Sequence, residues 1–214
     1  SSSEEAMSTI KRKPSLKIII LGDSSVGKSC IIQQYIFQKF SDKYKSTIGS
    51  DFFTHDTVIN DVPYSLQVWD TAGQERFQSL GSAFYRGTDG CILAFDLTNA
   101  KSFKSLEKWQ DEFLVAAAPS DPLNFPFVIM GNKSDLPDSE RKVTKEDVEE
   151  WSKSRRVTGM HYFETSAKLG TNIEEAFVDL LKQAIAQKGE EEEYVPDVID
   201  LDAVKPATPK KCDC

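Results

Sequence analysis

Gly22-Asp-Ser-Ser-Val-Gly-Lys-Ser29 places a glycine, four residues and then Gly-Lys-Ser directly after an apolar run. Such a loop wraps phosphates with successive backbone N–H groups, reaches the outer two with Lys28 and offers the Ser29 hydroxyl to magnesium. Asp70-Thr-Ala-Gly-Gln74, Asn132-Lys-Ser-Asp135 and Ser166-Ala-Lys168 follow it in that order. A phosphate loop alone admits ATP or GTP, so the base must be chosen elsewhere. The Asp135 carboxylate offers two acceptors to the two N–H donors on the edge of guanine, where adenine presents an acceptor and no exocyclic amine. A buried carboxylate left unpaired is costly, so adenine is selected against. Together the four segments imply a site for triphosphate, magnesium, attacking water and guanine.

These residues need elements to hold them. Leu16 to Leu21, between Pro14 and Gly22, reads as a buried strand feeding the glycine-rich turn, with a helix starting near Gly27. Asp51 to Ile59 and Tyr64 to Trp69 read as an antiparallel hairpin around the turn chemistry of Asn60-Asp61-Val62-Pro63. Three more strands are expected at Gly90 to Phe95, Phe125 to Gly131 and Tyr162 to Glu164. Helices are expected at Phe103 to Ala116, Thr144 to Arg156 and Asn172 to Gln187, the last with Ile173, Ala176, Phe177, Leu180 and Leu181 at helical spacing. Alternating strands and helices predict an α/β fold, a six-stranded mostly parallel sheet with helices on both faces and one antiparallel hairpin edge. Ligands of such sheets bind at the carboxyl ends of strands, where all four segments fall.

The chain has 214 residues and a net charge of −8, of which residues 189–214 contribute −5. The remainder is near balance, which argues against electrostatic binding of nucleic acid. Residues 1–14 read as a flexible extension, with Met7 as the native start, and residues 15–188 as one domain. Residues 189–214, with a Glu run and three prolines, read as a disordered tail. Cys30, Cys91, Cys212 and Cys214 do not form a disulfide framework, and a reducing, cytosolic setting fits them best. Cys30 and Cys91 are expected in the core. His55 and His161 lack metal-ligand neighbours at suitable spacing and are expected as surface or packing residues. No run approaches the ~18 apolar residues that a bilayer span needs, so membrane contact requires an anchor.

Over residues 15–188 the chain resembles the Ras-superfamily small GTPases that hydrolyse GTP with a phosphate loop, and within them the Rab branch. The resemblance is carried by Thr47-Ile-Gly-Ser-Asp-Phe52, Trp69-Asp-Thr-Ala-Gly-Gln-Glu-Arg-Phe77 and Phe84-Tyr-Arg-Gly87. It implies that Ser24, Ser25, Val26, Gly27, Lys28, Ser29 and Cys30 surround the phosphates. Thr47 and Ser29 would bind Mg2+, and Asp70 would hold a magnesium-bound water. The Gly73 N–H would contact the γ-phosphate, and Gln74 would orient the attacking water. The resemblance makes Gln74, Lys28, Thr47 and Gly73 the catalytic set. Phe40 would lie against guanine, the Ala167 N–H would meet its O6, Lys133 and Lys168 would flank it, and Asn132, Asp135 and Ser166 would complete the base pocket.

No intrinsic arginine finger is evident, so turnover of roughly 10⁻⁴ to 10⁻³ per second is expected until a partner accelerates it. The resemblance implies an exchange factor, a GTPase-activating protein, a GDP-dissociation inhibitor or escort protein, and effectors that read Phe52, Trp69 and Phe84. The same aromatics could otherwise be ordinary half-buried sheet residues. Lys210-Lys-Cys-Asp-Cys214 resembles a double-geranylgeranyl signal on Cys212 and Cys214, the alternative being an unmodified thiol pair. Gln74-Glu-Arg-Phe-Gln-Ser-Leu-Gly81, Asp111-Glu-Phe-Leu114 and Phe125-Pro-Phe-Val128 resemble the late-endosomal, lysosomal and vacuolar subgroup. They imply a vesicle-trafficking switch cycling between cytosol and the cytoplasmic face of those membranes. The alternatives are a Rab of another endocytic or secretory step, a GTP-dependent scaffold that scarcely hydrolyses, and a different phosphate-loop enzyme such as a nucleoside-phosphate kinase.

Overall fold

The computed structural model describes residues 13–41, 50–72 and 81–189. Its six strands are β1 (Ser15–Leu21), β2 (Ser50–Ile59), β3 (Val62–Thr71), β4 (Gly90–Asp96), β5 (Phe127–Asn132) and β6 (His161–Glu164). The helices are α1 (Lys28–Phe37), α2 (Gly81–Tyr85), α3 (Ala100–Lys104), α4 (Leu106–Ala117), α5 (Lys145–Ser154) and α6 (Ile173–Lys188). The strands form one sheet in the order β2-β3-β1-β4-β5-β6, parallel except for the β2–β3 edge pair.

Side-chain alternation explains why helices cover both faces. Ile18 and Ile20 of β1, Ile92 and Ala94 of β4, and Val128 and Met130 of β5 enter one core with Ile31 and Ile32 of α1 and Phe177, Leu180 and Leu181 of α6. Their neighbours Ile19, Leu21, Cys91, Leu93, Phe95, Phe127 and Ile129 enter a second core with Leu106 and Phe113 of α4 and Val148 of α5. Central strands buried on both faces carry no polar alternation, and β4 is buried at every position. Full burial of one such side chain, Phe177 for example, stabilises the fold by roughly 1.5–3 kcal/mol.

The structure moves several expected boundaries, for local reasons. The hairpin turn needs only Asn60 and Asp61, both left-handed with φ 50° and 64°. Val62 and Pro63 are already paired with Ile59 and Val58, and Pro63 precedes Ser65, where pairing with β1 begins. The helix expected from Phe103 starts earlier, because the Asn99 side chain accepts from the Lys101 and Ser102 N–H groups at 3.1 and 3.2 Å. It is divided at Ser105 into α3 and α4. β5 starts at Phe127, since Pro126 has no N–H to give, although its carbonyl accepts from Cys91 N at 3.0 Å. Cys91 is in the core as expected, but Cys30 is only half-buried. Cys30 follows the phosphate loop on the first turn of α1, whose inward residues are Lys28, Ile31 and Ile32. Of the remaining expectations, the extension up to Arg12, Thr47, Gly73, Gln74, the tail from Glu190, Cys212 and Cys214 lie outside the described residues. No helix among the described residues is long and apolar enough to cross a membrane.

α5 begins with a reciprocal cap. The Thr144 hydroxyl accepts from Asp147 N at 3.2 Å and the Asp147 carboxylate accepts from Thr144 N at 2.8 Å. These hydrogen bonds, the one from the Thr144 backbone foremost, hold the Asp147 carboxyl below its usual 3.8. A lowered folded pKa gives stability above the unfolded value that is lost as pH falls through the folded one. Thr144→Ala is expected to cost about 1 kcal/mol at neutral pH and to lower the melting temperature by roughly 2–4 °C. Asp147→Asn should show a deficit at pH 7 that narrows below pH 3.8, read by denaturant unfolding across pH.

Candidate functional site

β1 ends at Leu21, and the chain turns at once through Gly22 under the neighbouring β4. A Cβ on Gly22 would stand 2.2 Å from the Ala94 carbonyl oxygen, so only glycine allows this approach. The loop then runs through Ser24 and Ser25, both exposed, to Gly27 at φ 102°. Gly27 is the N-cap of α1 and supplies no side-chain cap. The first intrahelical bond there is Ile31 N to Gly27 O at 2.8 Å, so the N–H groups of Lys28, Ser29 and Cys30 precede the ladder. A ten-residue helix with uncapped N–H groups at the end of a strand is an anion cradle.

Lys28 itself is buried. Its Nζ donates to the carbonyls of Gly22 and Asp23, each at 2.8 Å, which closes the loop on itself. Burial pushes the ammonium down to about 8, with the charges of Asp70 and Asp23 opposing that shift. Next to it the Ser29 hydroxyl donates to Asp70 Oδ2, from the end of the adjacent β3. A hydroxyl and a carboxylate in contact beside a phosphate cradle suit a hard cation that takes its remaining ligands from phosphate and water, the habit of magnesium.

The other wall comes from β5 and β6. Asn132, the last residue of β5, is buried and works with both ends of its amide. Nδ2 donates to the Val26 carbonyl in the phosphate loop at 2.9 Å, while Oδ1 accepts from Ala167 N at 3.1 Å and from the Thr165 hydroxyl at 3.4 Å. A Cβ on Gly27 would lie 2.3 Å from Asn132 Nδ2, so the second loop glycine is required by the Asn132 segment as well as by its own φ. Asp135 Oδ1 accepts from the Ser166 hydroxyl at 2.7 Å, and Ser166 Oγ in turn accepts from Leu169 N at 3.0 Å. Lys133, left-handed at φ 70°, pairs with Asp96 at the end of β4 at 2.6 Å. Thus Ala167 N, expected to serve guanine O6, already serves Asn132. Phe40 is 37% exposed just beyond α1, and Lys168 is exposed.

On the neighbouring surface Phe52, Trp69 and Phe84 form one run of rings, with centroids 4.9 Å and 5.0 Å apart. Phe52 is 48% exposed and the other two are half-buried. Lys17 supports them from β1, its Nζ 5.0 Å over the Trp69 ring and bonded to the carbonyls of Phe84 and, at 3.0 Å, Arg86.

Sequence reading missed four participants. Asp96 closes the apolar run of β4 with a charge, a signal that was there to be used. Lys17 is a lone cation in the apolar β1, also visible. Arg141, in the loop Pro137 to Arg141, pairs with Glu164 at the end of β6. Trp109 donates to Asp23 from 86 residues away, which no local pattern announces.

The family model described as Ras family matches residues 17–186. The chain is 50% identical to "Ras-related protein RABG3f" of Arabidopsis thaliana over 205 residues, covering 95% of this chain and 98% of that protein. It is 51% identical to "Ras-related protein Rab7A" of Mesembryanthemum crystallinum over 206 residues, covering 95% and 99%. Similarity to "GTP-binding protein yptV5" of Volvox carteri reaches 53% over 195 residues, 91% of this chain and 94% of that one.

Ser25 occupies the left-handed region at φ 66° without the freedom of glycine. Ser25→Gly relieves that strain while adding freedom to the unfolded chain, so a net gain of about 0.5–1 kcal/mol is expected. Thermal unfolding of the two proteins side by side measures it, and a lower melting temperature for the variant would contradict the assigned backbone.

Proposed function

The chain belongs to the Ras family, within its Rab branch, and on that premise we propose that the site described above is the clock of a membrane-directed switch. It is a small GTPase that hydrolyses GTP to GDP and phosphate and regulates vesicle traffic. The observation that carries the site assignment is the meeting of four strand ends. Lys28 and Ser29 follow β1, Asp70 lies one residue before the end of β3, Asn132 ends β5, and Ser166 and Ala167 follow β6.

Each residue then has a physical role. The Ser25 to Cys30 backbone cradles the phosphates, and Lys28, with two N–H bonds on carbonyls, gives its third to a phosphate oxygen. Ser29 and Thr47 would hold magnesium, with Asp70 holding a water bound to it, and the metal when bound would neutralise charge on the phosphates. Asp135, held by Ser166, accepts the two N–H donors of guanine, and the stems of Lys133 and Lys168 flank the ring with Phe40. Gln74 orients the attacking water, and Thr47 and Gly73 contact the γ-phosphate, so its loss releases both segments together. Effectors read that change at Phe52, Trp69 and Phe84. An exchange factor, an activating protein and a GDP-dissociation inhibitor complete the cycle, and geranylgeranyl groups on Cys212 and Cys214 hold the protein to membrane. Similarity to Rab7A and RABG3f supports a late-endosomal or vacuolar step.

Two variants test the assignment. Asp135→Asn loses a charge-assisted pair to the base, worth roughly 1.5–3 kcal/mol, so GTP should bind about ten- to a hundredfold more weakly. Xanthosine triphosphate, with a carbonyl where guanine has its amine, should gain affinity. Competition against a fluorescent GDP reads both, and equal potency of ATP and GTP on the parent protein would rule out the base pocket. In a single-turnover assay with an activating protein, Gln74→Leu should keep nucleotide yet hydrolyse it at least about tenfold more slowly, since it removes the group that orients water. Unchanged stimulated hydrolysis would remove Gln74 from the mechanism.

A further inference from the structure

Asp23 is a carboxylate inside a loop built to collect anions. Its carbonyl oxygen accepts from Lys28 Nζ at 2.8 Å, so it is already coupled to the cation that meets the phosphates. A negative side chain there has two damaging options, to repel the phosphates and to compete with them for Lys28. Its charge does act on Lys28, yet Asp23 Oδ1 accepts its hydrogen bond from the indole Nε1 of Trp109 at 2.9 Å, which gives the carboxylate a fixed direction. The indole N–H is a donor only, so it can satisfy an acceptor such as this carboxylate but cannot compete with the phosphates for a proton.

The donor is also well anchored. Trp109 packs against the second core, and Leu106 and Phe113, three before and four after it on α4, are fully buried there. Helical periodicity therefore fixes the ring, and the ring fixes the carboxylate. We propose that Trp109 is a positioning residue that holds the Asp23 carboxylate away from the bound phosphates and so sets how long nucleotide stays. This rests on the reading that the loop from Gly22 to Ser29 binds the phosphates of a guanine nucleotide. Trp109 touches no reacting group and acts only through Asp23.

The test is GDP dissociation followed with a fluorescent analogue on the full chain, at low and high salt. Trp109→Phe keeps the packing and loses the N–H, so dissociation should quicken by about tenfold, the worth of one hydrogen bond to a charged group. The effect should shrink as salt screens the freed charge. Asp23→Asn keeps an acceptor for the indole and removes the charge, so its dissociation should be slower than that of the parent. In the double variant the Trp109 effect should largely vanish, because no carboxylate remains to be released. An equal Trp109→Phe effect in both backgrounds shows a packing role alone and overturns the proposal, as does no effect in a variant that melts like the parent. Should Trp109→Phe fail to fold, faster release from Asp23→Asn overturns it independently. A parent protein that does not retain GDP removes the nucleotide reading itself, and this inference with it, whereas retention with uncoupled variants removes this inference alone.

Discussion

The site depends on a single buried amide. Asn132 donates a hydrogen bond to the Val26 carbonyl in the loop after β1 and accepts one from Ala167 N in the loop after β6, so one side chain fixes the spacing of the two loops. An amide suits this because it donates and accepts at once, whereas a carboxylate would meet the Val26 carbonyl with a lone pair and a hydrophobic residue would leave both backbone groups unsatisfied. The contact also reaches back into the loop. Gly27 must lack a side chain for the amide to stand where it does, so the phosphate loop and the Asn132 segment are two sides of one close approach.

Charge is arranged around that fixed distance. Lys28 is buried, and its ammonium is displaced downward by desolvation although Asp70 and Asp23 oppose the shift. Such a group is poised for an anion, since phosphate would restore the charge partner that burial removed. The acidic residues nearby are each occupied: Asp70 with Ser29, Asp96 with Lys133, Asp135 with Ser166 and Asp23 with Trp109. A site for a polyanion can contain four carboxylates only if every one is held in a defined direction.

The sheet supplies the place where this is possible. β1 is central, with β3 on one side and β4 on the other, so the loop after it opens where successive connections diverge. The apolar runs of β1, β4 and β5 were legible as strands because two-sided burial leaves stretches such as Ile18 to Leu21, Cys91 to Phe95 and Phe127 to Met130 without polar alternation. The hairpin was legible from Asn60 and Asp61, whose side chains tolerate left-handed backbone, although pairing runs further into the turn than its proline suggested. The division of α3 from α4 at Ser105 and the partial burial of Cys30 were not legible, since local spacing marks neither.

Short-range chemistry was therefore written in the chain: two glycines, a lysine and a serine at loop spacing, an aspartate able to match guanine, and apolar periodicity that names strands and helices. Those features are local, because a backbone turn or a hydrogen-bond pattern needs only neighbours to be recognised. Which groups restrain them was decided by tertiary structure. The Asn132 bridge spans 106 positions and the Trp109 contact 86; the first exists because parallel strands bring their carboxyl ends to one edge, the second because α4 packs on the sheet beside the loop after β1. Local pattern chose the ligand, and the packing of helices on the sheet set how firmly each ligand-binding group is held.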